Sequence, residues 1–145
     1  MTPLTTLEKA YCEHALADLL EPKTGIDGAL LASPDGFEIA SAIRGRTLPR
    51  AQVAAMSSSL LAVGAAMAHE LRLGTCRNVV VEAATGTLLL FTVPCKRAPL
   101  VLWSIATSDA TLGMALISTR TCARDVARHL DVGHLAPDES RVRVP

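Results

Sequence analysis

Aromatic residues are scarce in this 145-residue chain: one Trp, one Tyr and two Phe, 3% of the total. That scarcity removes the stacking platforms on which single-stranded nucleic acid is held. Charge is sparse and balanced, with 14 basic and 14 acidic residues and a net charge of zero. Without a basic excess the chain lacks the electrostatic footprint of a nucleic-acid binder, and no such partner is expected. The four cysteines (Cys12, Cys76, Cys95, Cys122) form no C-x-x-C pair. So widely spaced, they read as reduced thiols of a cytoplasmic protein and not as a disulfide framework. The opening MTPLTTLEKAYCEH carries no basic-then-apolar leader pattern, which points the same way.

Catalytic signatures are missing as well. His69-Glu70 opens an H-E-x-x-H pattern, but its fifth position is Leu73, so the second zinc ligand is absent. Lys23-Thr24-Gly25 has no accompanying S-x-x-K, and neither a P-loop nor a G-x-G-x-x-G occurs. His129 and His134 flank an expected helix end, where a solvated histidine is ordinary. No catalytic residue, metal or cofactor is therefore expected.

What the chain does have is an uncharged run from Ala51 to Ala68, AQVAAMSSSLLAVGAAMA. A membrane span needs about 20 predominantly apolar residues. Here Gln52, the Ser57-Ser58-Ser59 triplet and the many alanines argue for a soluble helix covered on more than one side, with no membrane insertion.

Around that run the elements follow from local signals. Thr6 reads as the N-cap of a first helix, which Pro22 and Gly25 end. Residues 26–33 and 37–43 read as strands joined by Pro34-Asp35-Gly36, a turn in which glycine accepts positive φ. The long helix, with Pro49 in its first turn, stops at Gly74 as its C′ residue. Three short Val, Leu and Ile-rich runs follow, at 78–84, 87–94 and 100–107. Their near-continuous apolar character implies burial on both faces, while their short loops imply antiparallel pairing. A last helix spans 110–130 and ends at Gly133. The reading is one α+β domain over residues 1–136, in the order αββαβββα, with a flexible tail at 137–145.

Within the long helix, Val53, Met56, Leu60, Val63, Met67 and Leu71 form one stripe, expected to lie on the sheet. Ala54, Ser58, Leu61, Ala65 and Ala68 form a second, mostly small stripe, expected to meet a second subunit or another partner, since small side chains let helices approach closely. The run 78–84 has no internal proline or lysine. As an edge strand it would lack defences against pairing, which makes Val79 and Val81 further interface candidates.

Four segments together resemble the Roadblock/LC7 family, in particular its bacterial MglB-like branch. They are the hairpin GIDGALLASPDGFEIAS, the helix RAQVAAMSSSLLAVGAAMAHELRLG, the hairpin NVVVEAATGTLLLFTV and the closing LVLWSIATSDATLGMALISTRTCARDVARHL. The resemblance implies a five-stranded antiparallel sheet in order 2-1-5-4-3, with the long helix on one face and the terminal helices on the other. It also implies a homodimer, or a heterodimer with a related Roadblock protein, built from paired third strands and long helices. Family members bind small Ras-like GTPases and regulate their nucleotide state, or serve as scaffolds. On that reading Arg44, Arg46 and Arg50 are candidate GTPase-facing residues. A donated arginine is one mechanism open to them, and a bias on the partner's switch loops is the preferred one. The competing reading is a PAS- or profilin-like ligand sensor or general interaction module. Its sheet order is the same, but a single long helix between the second and third strands sets this chain apart.

Overall fold

The computed structural model describes residues 3–97 and 99–142, with side chains as far as Val132. In chain order the elements are α1 (Thr6–Leu19), β1 (Ile26–Ala32), β2 (Glu38–Ile43), α2 (Arg50–Glu70), β3 (Asn78–Ala83), β4 (Gly86–Val93), β5 (Leu100–Thr107) and α3 (Leu112–Val142). A single 3₁₀ turn, Pro22–Thr24, links α1 to β1. The strands form one antiparallel sheet in the order β2-β1-β5-β4-β3, as expected.

Period-two alternation divides β5 between two cores. Leu100, Leu102 and Ala106 join Leu31, Leu89, Phe91 and Val93 under α1 and α3. Val101 and Trp103 join Leu30 and Leu90 under α2. Ser104 faces α3, where its hydroxyl shares a 2.8 Å hydrogen bond with the Thr119 hydroxyl, both fully buried. The α1 and α3 layer is thus a full aliphatic core tied to the sheet by a satisfied polar pair. Tyr11 adds a lateral tie, its ring stacked 3.6 Å from that of His129.

Three boundaries differ from the sequence reading. Thr5, not Thr6, is the N-cap of α1: its hydroxyl accepts from the Glu8 N–H at 3.1 Å, and its own N–H donates to the Glu8 carboxylate at 2.9 Å. This reciprocal capping box needs glutamate three residues after the cap, and only Thr5 has that spacing. Helix α2 ends before Gly74. The Leu73 N–H donates to the Ala68 carbonyl and the Arg72 N–H to the His69 carbonyl, so Arg72 is the C′ residue, at φ 57°. A left-handed arginine costs about 1–2 kcal/mol relative to glycine, offset in part by its charge at the negative end of the helix dipole. Finally, α3 does not stop at Gly133 but continues to Val142. Residues 137–142, expected as tail, belong to that helix, and 143–145 lie outside the described residues.

The β1–β2 turn is anchored from above. Gly36, at φ 91°, lies so close to α2 that an added Cβ would stand 2.9 Å from the Ala55 Cα. Positive φ and lack of space both demand glycine there. Ser33 closes the turn by accepting the Gly36 N–H through its carbonyl and the Phe37 N–H through its hydroxyl.

Candidate docking face on the second helix

The two stripes of α2 have exchanged the roles expected of them. Ala54, Ser57 and Leu61 are the residues buried against the sheet. Most of the large stripe points outward, with Met56 65%, Val63 55% and Met67 58% exposed, while Val53 and Leu60 are half-buried and pack at the rim of the core beneath the helix. The assignment of Met56, Val63, Met67 and Leu71 to the core is therefore corrected, as is that of Ala54 and Leu61 to a partner surface. The cause is the sheet itself. Trp103, Leu30 and Leu90 already fill the space beneath the helix, so only small residues allow its backbone to close in. Gly64 marks a close approach to β3, where an added Cβ would stand 3.0 Å from Val79 Cγ2. Of the other residues in the small stripe, Ser58 is half-buried and donates to the Ser33 carbonyl at 3.3 Å. Ala65 is exposed and Ala68 half-buried.

The outward stripe has a regular spacing. Val53, Met56, Leu60, Val63 and Met67 are separated by three, four, three and four residues, the heptad pattern by which two helices interlock. A groove of about 650 Å³ runs along it, lined by Val53, Met56, Leu60, Val63 and Leu88 among others. By length and composition α2 is also apolar enough to cross a membrane, and only 17% of its apolar window is buried in the monomer. Its packing on Trp103 and Leu90 makes it a layer of the fold, and what remains is an uncovered apolar face.

Strand β3 forms one edge of the sheet. Val79 and Leu88 pack with α2, and Val81, two residues on from Val79, is 40% exposed. The edge and the helix face are thus continuous on one side of the molecule.

The three candidate arginines are not alike. Arg46 donates to the Asp27 carboxylate at 2.7 Å. Arg50 faces Glu38 at 3.5 Å and donates to the Ser41 hydroxyl at 3.1 Å. Arg44 is exposed and takes part in no ion pair among the described residues. Two of the three thus make exposed ion pairs within the chain. No group of three or more His, Cys, Asp or Glu positioned to hold a metal occurs among the described residues.

The Roadblock/LC7 domain profile matches residues 14–97, more than half of the chain. The chain belongs to the Roadblock/LC7 family. Among solved Roadblock-type structures, an MglB with a tetrameric arrangement superposes at a TM-score of 0.78 with 21% identity, over 88% of this chain and 96% of that one. The gliding protein MglB of Thermus thermophilus gives 0.77 with 19% identity, over 88% and 96%. Myxococcus xanthus MglB gives 0.77 with 15% identity, over 90% and 95%. At such identities these likenesses establish a shared fold. A sequence search of curated proteins returned no match.

The thiols of this Roadblock domain differ sharply in accessibility. Burial pushes the Cys12 thiol up to about 11, with the Glu8 charge adding to it. Burial pushes Cys122 up to about 12, with Asp125 adding to it. Cys95 is buried too, and only Cys76 is partly exposed. Because the thiolate is the reactive form, one thiol per native chain is expected to react rapidly with Ellman's reagent at pH 8. Cys76→Ser should abolish that phase. Rapid reaction of two or more thiols in folded protein would contradict the packing described.

Proposed function

We propose that this chain is a non-enzymatic, cytoplasmic docking module that self-associates through α2 and β3 and binds a small Ras-like GTPase. One observation carries the reading: Met56, Val63 and Met67 of the heptad stripe on α2 are more than half exposed in the monomer, flanked by Val53 and Leu60 at the rim of its own core. Monomeric soluble proteins rarely leave contiguous apolar faces of this kind uncovered. Membership of the Roadblock/LC7 family supports pairing with a second copy or a related Roadblock chain, and supports a GTPase as the further partner. The three buried free thiols are consistent with a reducing compartment.

The arginine geometry bears on mechanism. Arg46 and Arg50 make solvent-exposed pairs with Asp27 and Glu38 that cost little to break, so Arg44, in no ion pair among the described residues, is the first of the three to test for donation to the GTPase. A bias on the partner's switch loops requires no donated group. The test is capture of a Ras-like G domain encoded beside this gene, loaded with a non-hydrolysable GTP analogue or with GDP. Preferential retention of the GTP-analogue form, unchanged by Arg44→Ala, is the expected result. Equal or absent retention of both forms would remove the GTPase from the proposal. A loss of stimulated hydrolysis of about 10³-fold or more on Arg44→Ala would instead indicate an arginine finger.

A further inference from the structure

Between the segment that leads into β3, the end of β4 and α3 lies a cavity of about 490 Å³. Three arginines line it (Arg77, Arg120 and Arg124), together with Thr75, Thr92 and Phe91, and no carboxylate does. In a chain of zero net charge this is a local accumulation of one sign. None of the three arginines takes part in an ion pair among the described residues.

Arg77 and Arg124 are exposed and Arg120 is half-buried, so the three charges are open to solvent and to a ligand. Arg120 and Arg124 stand four residues apart on α3, where like charges repel. The next arginine along the same helix, Arg128, is paired with Asp125 at 3.4 Å. Arg120 is held in place, with its guanidinium carbon 6.0 Å from the centroid of the buried Phe91 ring. The hydroxyls of Thr75 and Thr92 add short donors to the same wall.

We propose that this cavity binds a small phosphate-bearing anion. Several guanidinium forks match the terminal oxygens and double charge of a phosphate better than a single carboxylate. The volume lies within the range of small-molecule sites. The proposal is independent of the GTPase reading, since the cavity shares no lining residue with the groove along α2.

Isothermal titration of the intact protein with pyrophosphate at 150 mM salt tests it, with inorganic phosphate as a second probe. Saturable 1:1 binding is expected, weakened about tenfold or more in Arg120→Gln/Arg124→Gln. Both positions are at the surface, and an unchanged circular dichroism spectrum would confirm that the variant folds. Arg128→Gln, which removes a paired arginine of the same helix, should bind like wild type. Absence of pyrophosphate binding, or equal weakening by Arg128→Gln, would overturn the proposal. So would binding of a poly-glutamate peptide, or of phosphatidylglycerol vesicles, without binding of pyrophosphate.

Discussion

Val63→Arg/Met67→Arg is expected to abolish the proposed self-association, leaving a monomer at micromolar concentration. Each wild-type side chain is more than half exposed in the monomer, so the substitutions leave both cores intact. Burying a Val or Met side chain is worth about 1.5–3 kcal/mol. Only the exposed half or so of each side chain is left for an interface to bury, and a two-fold interface counts each position twice, which makes the summed loss at least about 3 kcal/mol before any cost of desolvating the new charges. Even if half of that is realised, the dissociation constant rises by about tenfold. Sedimentation velocity across a concentration series measures it. The control is Leu7→Arg on α1, a site 82% exposed on the far side of the sheet, which should leave assembly unchanged. A wild type that stays monomeric at high micromolar concentration would refute the α2 interface. So would a double variant that still dimerises with wild-type affinity.

The second large effect concerns stability. Arg97 donates to Glu8 at 3.2 Å, with side chains only 7% and 9% exposed, tying the first turn of α1 to the β4–β5 connection. Removing one partner of a buried pair costs about 3–5 kcal/mol. Arg97→Ala should fall near the lower end, because Glu8 keeps its bonds to Thr5. For a domain of this size that is a loss of roughly 10 °C in Tm. The pair also sets a pH dependence. Burial alone would raise the Glu8 pKa, but the Thr5 N–H, the Arg97 charge and the Thr5 hydroxyl outweigh it and hold the carboxyl below its ordinary value. A carboxyl depressed in the folded state contributes stability above its unfolded pKa, and that contribution is lost as pH falls through the folded value. Wild type should therefore lose stability at acid pH more steeply than Arg97→Ala in chemical denaturation. Parallel acid limbs in the two proteins would show that the pair contributes nothing to the pH dependence.

The elements and an antiparallel sheet covered on both sides were legible in the residues, through the Pro34-Asp35-Gly36 turn, the short links around Thr85-Gly86 and the unbroken aliphatic runs. The strand order and the face each helix takes came from the family resemblance, because local signals do not fix which strands are neighbours. The orientation of α2 was not legible. Both of its stripes are apolar, so periodicity alone does not say which one the sheet takes. Gly64 was the available clue, since a glycine in a helix interior marks close approach and places the neighbouring small residues inward. The cap of α1 turned on one residue between two adjacent threonines, and the glutamate spacing distinguishes them. The Arg77, Arg120 and Arg124 cluster could not be read along the chain, because more than forty positions separate its first member from the others. Only the packing of α3 across β4 assembles it.

The anchored turn at Gly36 also bears on how the chain can change over evolutionary time. Its tip rests on Ala55 of α2, and Ser33 fixes its length through two bonds. An inserted residue there would lift α2 from the sheet and displace the docking face with it. The neighbouring loop from Arg44 to Pro49 carries no such restriction at its own glycine, since an added Cβ on Gly45 meets nothing within 4 Å. Length variation among relatives should therefore concentrate in that loop, beside the helix that it introduces, while the turn at residues 33–37 keeps its length.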